Sequence, residues 1–378
     1  MTPETHTLGE SPLPLSRLPE RPLVSILVAN YNYERFIGSA LNSVLAQTYP
    51  NLEAIVCDDG SIDGSRQLVE RFVSRDERVR LIVKENGGAA SALNTAREAA
   101  KGEVLCTLDA DDTFHPSKVE RVVKAFRSHP WGLLVHALML VDENGMRIQR
   151  KPAFGYFEEG WIADKVRRRG GRWGYMEASG VCLRREVADI VFPIPEERFR
   201  SWADAYVCVL GAFITRVGFI DEALASYRIH GENISGSNLL TEARGRRGME
   251  GFRRLVEGVD ERLHALDPSD PGIRVGDNLG YLESRLMTLL LSPKASYRGI
   301  VRAYLDYARS VLSDDIYGRS RKLLSVVFPA TAMLLPVPVR PAWVSAGLTH
   351  SRTKERLRRM ARALTSVRRL VDRSRPVV

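Results

Sequence analysis

"VSILVANYNYERFIGSALNSVLAQTYPNLEAIVCDD", residues 24–59, sets an apolar β-branched run, a helical repeat and a second apolar run in succession. Each apolar run stops at a polar cluster. Strand, helix, strand at that spacing calls for crossover connections, and these build parallel sheets. The rhythm continues outward: "SRQLVERFVSR" reads as helix, "VRLIVKE" as strand, "AASALNTAREAA" as helix and "EVLCTLDA" as strand. The expected fold class is α/β, a mostly parallel sheet flanked by helices, with a helical extension at the carboxyl end.

Beyond Asp112 the order loosens. A hairpin is expected through "LLVHALMLVDENGMRI", turning at "DENG". From about residue 240 the pattern is helical, with helices expected near 242–266, 274–291, 296–313 and 352–372 and the breaker "DPSDPG" between the first two. The chain thus reads as a flexible, Pro-rich arm over 1–21, an α/β domain over 22–238 whose halves meet at 112, and a helical, basic region over 239–378.

With 378 residues, 44% of them hydrophobic, the chain can bury a full core. Its 55 Lys and Arg against 46 Asp and Glu give a net charge of +9, which invites anionic partners. Much of that excess lies in the last third, above all in "RTKERLRRMARALTSVRRLVDRSR", where apolar residues at helical spacing alternate with arginines. That is the composition of an amphipathic helix on anionic lipid, so peripheral contact with the inner face of a membrane is expected. No aromatic residues interleave with the arginines, so nucleic acid is not expected. Cys57, Cys106, Cys182 and Cys208 each sit in an apolar run without metal-ligand spacing and read as buried free thiols in a reducing, cytoplasmic compartment. The first 20 residues lack a signal-peptide pattern, and the apolar segment 323–339 is broken by three prolines and short for a bilayer.

The chemistry is expected at the carboxyl ends of the parallel strands, where ligands bind in such sheets. Those ends are "ANYN" (29–32), "DDGSIDGS" (58–65), "NGG" (86–88) and "DADD" (109–112). Three acids closing one strand repel one another unless a cation lies among them. Oxygen-seeking Mn²⁺ or Mg²⁺ answers that need, with Asp111 on the metal, Asp109 there or on a ribose hydroxyl, and diphosphate oxygens completing the shell. Asp112 is expected to cap the following helix.

The run from "VSILVANYN" through "DDGSIDGS", followed by "NGGAASALNTAREAAKGEVLCTLDADD", resembles the nucleotide-binding half of the family 2 glycosyltransferases of GT-A fold. The resemblance implies inverting transfer of a sugar from a nucleotide diphosphate, most often UDP-linked, to a hydroxyl of a glycan or lipid-linked acceptor. It places residues 22–112 as the nucleotide half and 113–238 as the acceptor half. It implies a nucleotide site of Ala29, Tyr31, Asp58, Asp59, Asp109 and Ala110, with Tyr31 stacking near the base, Asp59 contacting the uracil and Asp58 shaping the same loop, and a DXD motif in which Asp109 lies near the ribose and Asp111 on the metal. One position departs: many relatives carry Arg where this chain has Leu93. Further on, Ser179 and Gly180 of "EASGVCLRREVADIVFPIP" resemble the turn that faces donor sugar and acceptor. Asp204 matches the family's general base, although Ala203 replaces the usual preceding Glu. His230 in "YRIHGENIS" resembles a residue reaching the diphosphate or metal, with Tyr227, Arg228, Asn233 and Ser235 beside it. Trp202, Trp173 and Tyr175 could stack on a sugar face or simply pack.

Inverting displacement needs one base opposite the leaving diphosphate, and a carboxylate at a helix start supplies it at a fixed point. Two other readings compete. A nucleotidyltransferase would carry a Gly-rich phosphate loop after the first strand, unlike "ANYNYERFIG". A non-catalytic nucleotide- or anion-binding protein would be indifferent to Asp111.

Overall fold

The structure is a computed structural model that describes residues 11–151, 157–175, 177–231, 241–336, 340 and 343. Contacts divide the chain into two compact units. The first runs to Gly236 and includes Glu257–Ile273; the second comprises Ser237–Val256 and the chain from Arg274.

In the first unit the expected alternation forms: β1 (Val24–Asn30), α1 (Glu34–Leu45), β2 (Leu52–Asp58), α2 (Ser65–Val73), β3 (Val79–Val83), α3 (Ala89–Ala99) and β4 (Val104–Asp109). After it come β5 (Thr113–Phe114), α4 (Lys118–Ser128), β6 (Leu133–Val141), β7 (Arg147–Lys151), α5 (Ala163–Arg168), β8 (Val181–Arg184), α6 (Arg185–Val191), α7 (Ala203–Ile214) and β9 (Val217–Arg228). One sheet holds all nine strands in the order β3-β2-β1-β4-β8-β6-β9-β5, with β7 paired to β6. The β3-β2-β1-β4 half is parallel throughout, as is β6 with β9. β8 runs antiparallel between β4 and β6, and β5 pairs antiparallel with β9.

Every residue of β2 is buried, which is why its sequence is apolar at successive positions and does not alternate. The α1 helix turns Phe36, Ile37, Ala40, Leu41 and Val44 inward, one stripe at helical spacing. The expected hairpin forms between β6 and β7, and Gly145 at φ 81° supplies the left-handed residue of its turn. All four cysteines are free and buried.

Two expectations are corrected. Asp112 caps no helix: Thr113 and Phe114 pair with Ser226 and Ala225, so the chain leaves Asp112 extended, and α4 begins only at Lys118. Residues 11–21 are not a free arm. The Leu13 N–H donates to Ile214 O at 2.7 Å, the Ser16 N–H and hydroxyl both donate to Glu186, and Leu18 is buried.

Farther along lie α8 (Glu242–Leu266), α9 (Leu279–Leu291), α10 (Tyr297–Ser313) and α11 (Arg319–Met333). α9 starts later than its apolar pattern suggested because Asn278 caps it, its side chain accepting the Tyr281 N–H at 2.9 Å. In the second unit Leu282, Leu286 and Leu290 of α9 pack with Ile300, Tyr307 and Val311 of α10 and with Phe328 and Ala332 of α11. That settles one face of the Pro-interrupted apolar segment: it packs within its own unit, although Leu323, Val327 and Leu334 stay exposed. Among the described residues no helix is long and apolar enough to cross a membrane. The expected basic helix at 352–372 lies outside the described residues.

Candidate active site

Register brings the strand ends level. Asn30 of β1 stands beside Asp58 of β2, and Ala29 stands between Cys57 and Asp109 of β4. Asn30 Nδ2 donates to Asp58 Oδ2 at 2.7 Å, while Asp58 Oδ1 accepts the Ser61 N–H at 2.9 Å. Asn32, left-handed at φ 57°, donates its N–H to Ser61 Oγ and accepts the Ile62 N–H. Asp58 is therefore consumed in lacing the β1–α1 loop to the β2–α2 loop.

Asp59 is almost as enclosed, and its work is different. Its Oδ1 accepts from Lys84 Nζ at 3.0 Å and the Gly87 N–H at 2.9 Å, and its Oδ2 accepts the Gly88 N–H at 2.7 Å. The carboxylate fixes the "NGG" loop against the end of β2, with one oxygen still able to take a further donor. Tyr31, 45% exposed, stands at the mouth with its ring free to stack.

Gly88 closes this loop at φ 91°, and a Cβ there would lie 2.8 Å from Arg200 Cα. Its backbone can relax only by dragging the two N–H donors off Asp59. Gly88→Ala is expected to destabilise the fold by about 1–3 kcal/mol and to weaken nucleotide binding in parallel, measured by thermal denaturation and calorimetry.

Asp109, Asp111 and Asp112 bring one oxygen each within 4.8 Å of one another. Burial, then the charges of Asp111, Asp112 and Asp204, hold the Asp109 carboxyl well above the usual range. Burial and the Asp111 charge push Asp112 up to about 8. Asp112 Oδ1 accepts the Arg228 N–H at 2.8 Å, but its Oδ2 is buried with no hydrogen-bond partner. Repelling carboxylates with an orphaned buried oxygen are a donor set that suits a divalent cation. His230 Nε2 lies 2.9 Å from Asp111 Oδ2, its ring wedged against Tyr33 and Phe36 at centroid distances of 5.9 and 4.9 Å. The acids and the imidazole therefore form one group.

The acceptor half meets that group from the other side. Ser179 and Gly180 are fully enclosed and do not sit at the mouth; Ser179 Oγ accepts the Asp109 N–H at 3.1 Å, bracing the DXD turn from beneath. Trp173 is buried too, its indole N–H donating to Cys208 O at 3.2 Å, so it packs and does not face a sugar. Trp202 is half-buried and left-handed at φ 69°, a conformation that costs a bulky residue about 1–3 kcal/mol. That strained residue caps α7, and Asp204, half-buried in the first turn, has its charge felt at Asp109 and Tyr175. Asn233 and Ser235 lie outside the described residues.

Two further residues hold this site together: Arg228, named from sequence only as a neighbour of His230, and Lys118, which the sequence did not single out. Arg228 donates its backbone N–H to Asp112, its Nε to Asp111 O at 2.7 Å and its Nη1 to Glu143 O at 3.0 Å. Lys118 is wholly buried, its Nζ donating to Ser179 O at 2.8 Å and lying 3.4 Å from the Phe114 ring centroid. The signal for Lys118 was faint: one lysine at a helix start, where solvent exposure is the ordinary expectation.

A parallel nucleotide-type half-sheet, an acidic cluster at its carboxyl edge and a helix-borne carboxylate opposite define a GT-A glycosyltransferase architecture. Residues 25–192 match the profile described as Glycosyl transferase family 2. Over 211 residues, 56% of this chain and 66% of the relative, it is 36% identical to an uncharacterized glycosyltransferase of Nostoc. Over 218 residues, 57% of this chain and 83% of the relative, it is 28% identical to a putative teichuronic acid biosynthesis glycosyltransferase, TuaG, of Bacillus subtilis. Its fold is similar to that of TarS from S. aureus, at 17% identity and TM-score 0.52, covering 84% of this chain and 55% of that one. A shorter TarS structure in complex with UDP-GlcNAc aligns at TM-score 0.51 and 17% identity, covering 92% of both chains. The chain thus spans a little under two thirds of the Nostoc relative and about half of the longer TarS chain.

Proposed function

We propose that this protein moves a sugar from a nucleotide diphosphate donor, UDP-linked, to an acceptor hydroxyl with inversion at the anomeric carbon, in the synthesis of a polysaccharide or cell-surface glycan. The observation that carries the proposal is the acid cluster at the end of β4, with its raised carboxyls and orphaned Asp112 oxygen, in which Asp109 feels the charge of Asp204. TarS, which has a similar fold, was captured with UDP-GlcNAc, and TuaG is named for teichuronic acid biosynthesis; both support the reading by analogy.

In this reading Tyr31 stacks on the base, the free lone pair of Asp59 accepts from it, and Asp109 with the Ala110 backbone meets the ribose. Asp111 and His230 hold Mn²⁺ or Mg²⁺, which when bound stabilises negative charge on the departing diphosphate. Asp204 takes the proton of the attacking hydroxyl as the anomeric carbon becomes electron-poor. Trp202, held by its strained backbone at the start of α7, presents its ring toward the sugar. Ser179 acts on the sugar only through the position of Asp109.

The test is calorimetric titration of UDP, GDP and ADP with and without Mn²⁺. UDP binding that requires the metal is expected. Metal-independent binding, or none with any nucleotide, would end the proposal.

A further inference from the structure

The sheet has a second cleft at its other edge. At the end of the strands opposite the acids, the docked segment Leu13–Leu18, the end of α4, the end of β8 and the residue before β9 enclose a cleft of about 390 Å³. Arg17, Arg127, Arg184 and Arg216 line it, and no carboxylate does. Arg17, Arg127 and Arg216 make no ion pair among the described residues. Four guanidiniums stay charged at any working pH, and gathering them around one concavity raises its potential strongly.

Arg184 shows that the arrangement is built. It is 4% exposed, so its charge is taken out of water. Nη2 donates to Ser16 O at 2.7 Å and to Glu186 Oε1 at 3.0 Å, while Nε is buried with no partner and Nη1 makes no hydrogen bond to the described protein. Two nitrogens of this buried guanidinium, Nε and Nη1, thus keep donors without an acceptor among the described residues, beside a cleft that no acid lines. The segment that roofs the cleft is itself tied down by Arg184 and Glu186, so floor and roof form as one.

We propose that this cleft binds a phosphate ester, at a site separate from the sugar-transfer centre. A carboxylate offers two oxygens and satisfies one guanidinium fork; four arginines lining one volume suit the three or four oxygens of a phosphoryl group. At about 390 Å³ the cleft also has room for part of the organic group that carries the phosphate. The phosphate could belong to a lipid headgroup or to a soluble ester.

The experiment uses the full chain carrying Asp111→Asn, which disarms the metal site, in EDTA. Inorganic phosphate is titrated calorimetrically, and sedimentation with phosphatidylglycerol vesicles is compared with phosphatidylcholine vesicles. Phosphate binding is expected, weakened at least tenfold by adding Arg127→Ala and Arg216→Ala, two exposed positions where truncation leaves the fold intact. If the double change proves unstable, Arg216→Gln alone carries the same expectation at smaller size. Loss of phosphatidylglycerol binding along with phosphate identifies a lipid source; vesicle binding unchanged while phosphate binding is lost identifies a soluble ester. Phosphate that fails to bind, or that binds the arginine variants as tightly as their parent, overturns the proposal.

Discussion

Asp204→Asn is expected to leave metal-dependent UDP binding within about twofold of the parent chain and to slow sugar transfer by about 10²–10⁴-fold, the range of a lost general base. The amide keeps the shape of the side chain and its place in the first turn of α7, so nothing that packs there should move. What disappears is a negative charge that Asp109 feels directly. A helix start favours such a charge, and burial beside another acid opposes it. The two readouts separate a base from a binding group: a base changes kcat and spares the nucleotide Kd. Unaltered turnover in this variant would remove Asp204 from the reaction, while a matched fall in UDP affinity would recast it as a donor contact.

Ala203 offers no second acid, and the residue before it, Trp202, holds a left-handed backbone that few bulky side chains adopt. No sequence pattern announces such a residue, because nothing in "FRSWADAY" distinguishes a strained Trp from a relaxed one. The strand ends were legible for the opposite reason. A buried parallel strand must be apolar along its whole length and must stop where its loop meets solvent, so "ANYN", "DDGS" and "DADD" mark the sheet edge by hydrophobicity alone. Side-chain roles at that edge were less legible. Asp58, Asp59 and Ser179 read as ligand contacts, yet each spends most of its hydrogen-bonding capacity on a neighbouring loop. The local sequence specifies a polar residue; which neighbour claims it is decided by elements 28–70 residues away. Asp112 was misjudged by the same route. Its apparent helix-capping context was local, whereas the pairing of Thr113 and Phe114 with β9 was not.

Asp111→Asn is expected to do two things at once: to abolish metal-dependent UDP binding and transfer, and to raise the melting temperature of the chain in EDTA by several degrees. The first effect follows from the site. An amide oxygen ligates a hard divalent cation far more weakly than a carboxylate, and Asp111 shares its other contact, the 2.9 Å pairing with His230, which asparagine can still accept. The second follows from repulsion. Without a cation, the Asp111 charge is one reason that both Asp109 and Asp112 are pushed up, and its removal relieves two neighbours of strain that the fold otherwise carries. A site organised for a cation is destabilised without one, so stability and function trade against each other here. Adding Mn²⁺ should therefore raise the melting temperature of the parent chain and leave the variant where it was. A variant that melts below its parent in EDTA would show that Asp111 serves the fold more than the site, and the electrostatic account of the three acids would fail with it.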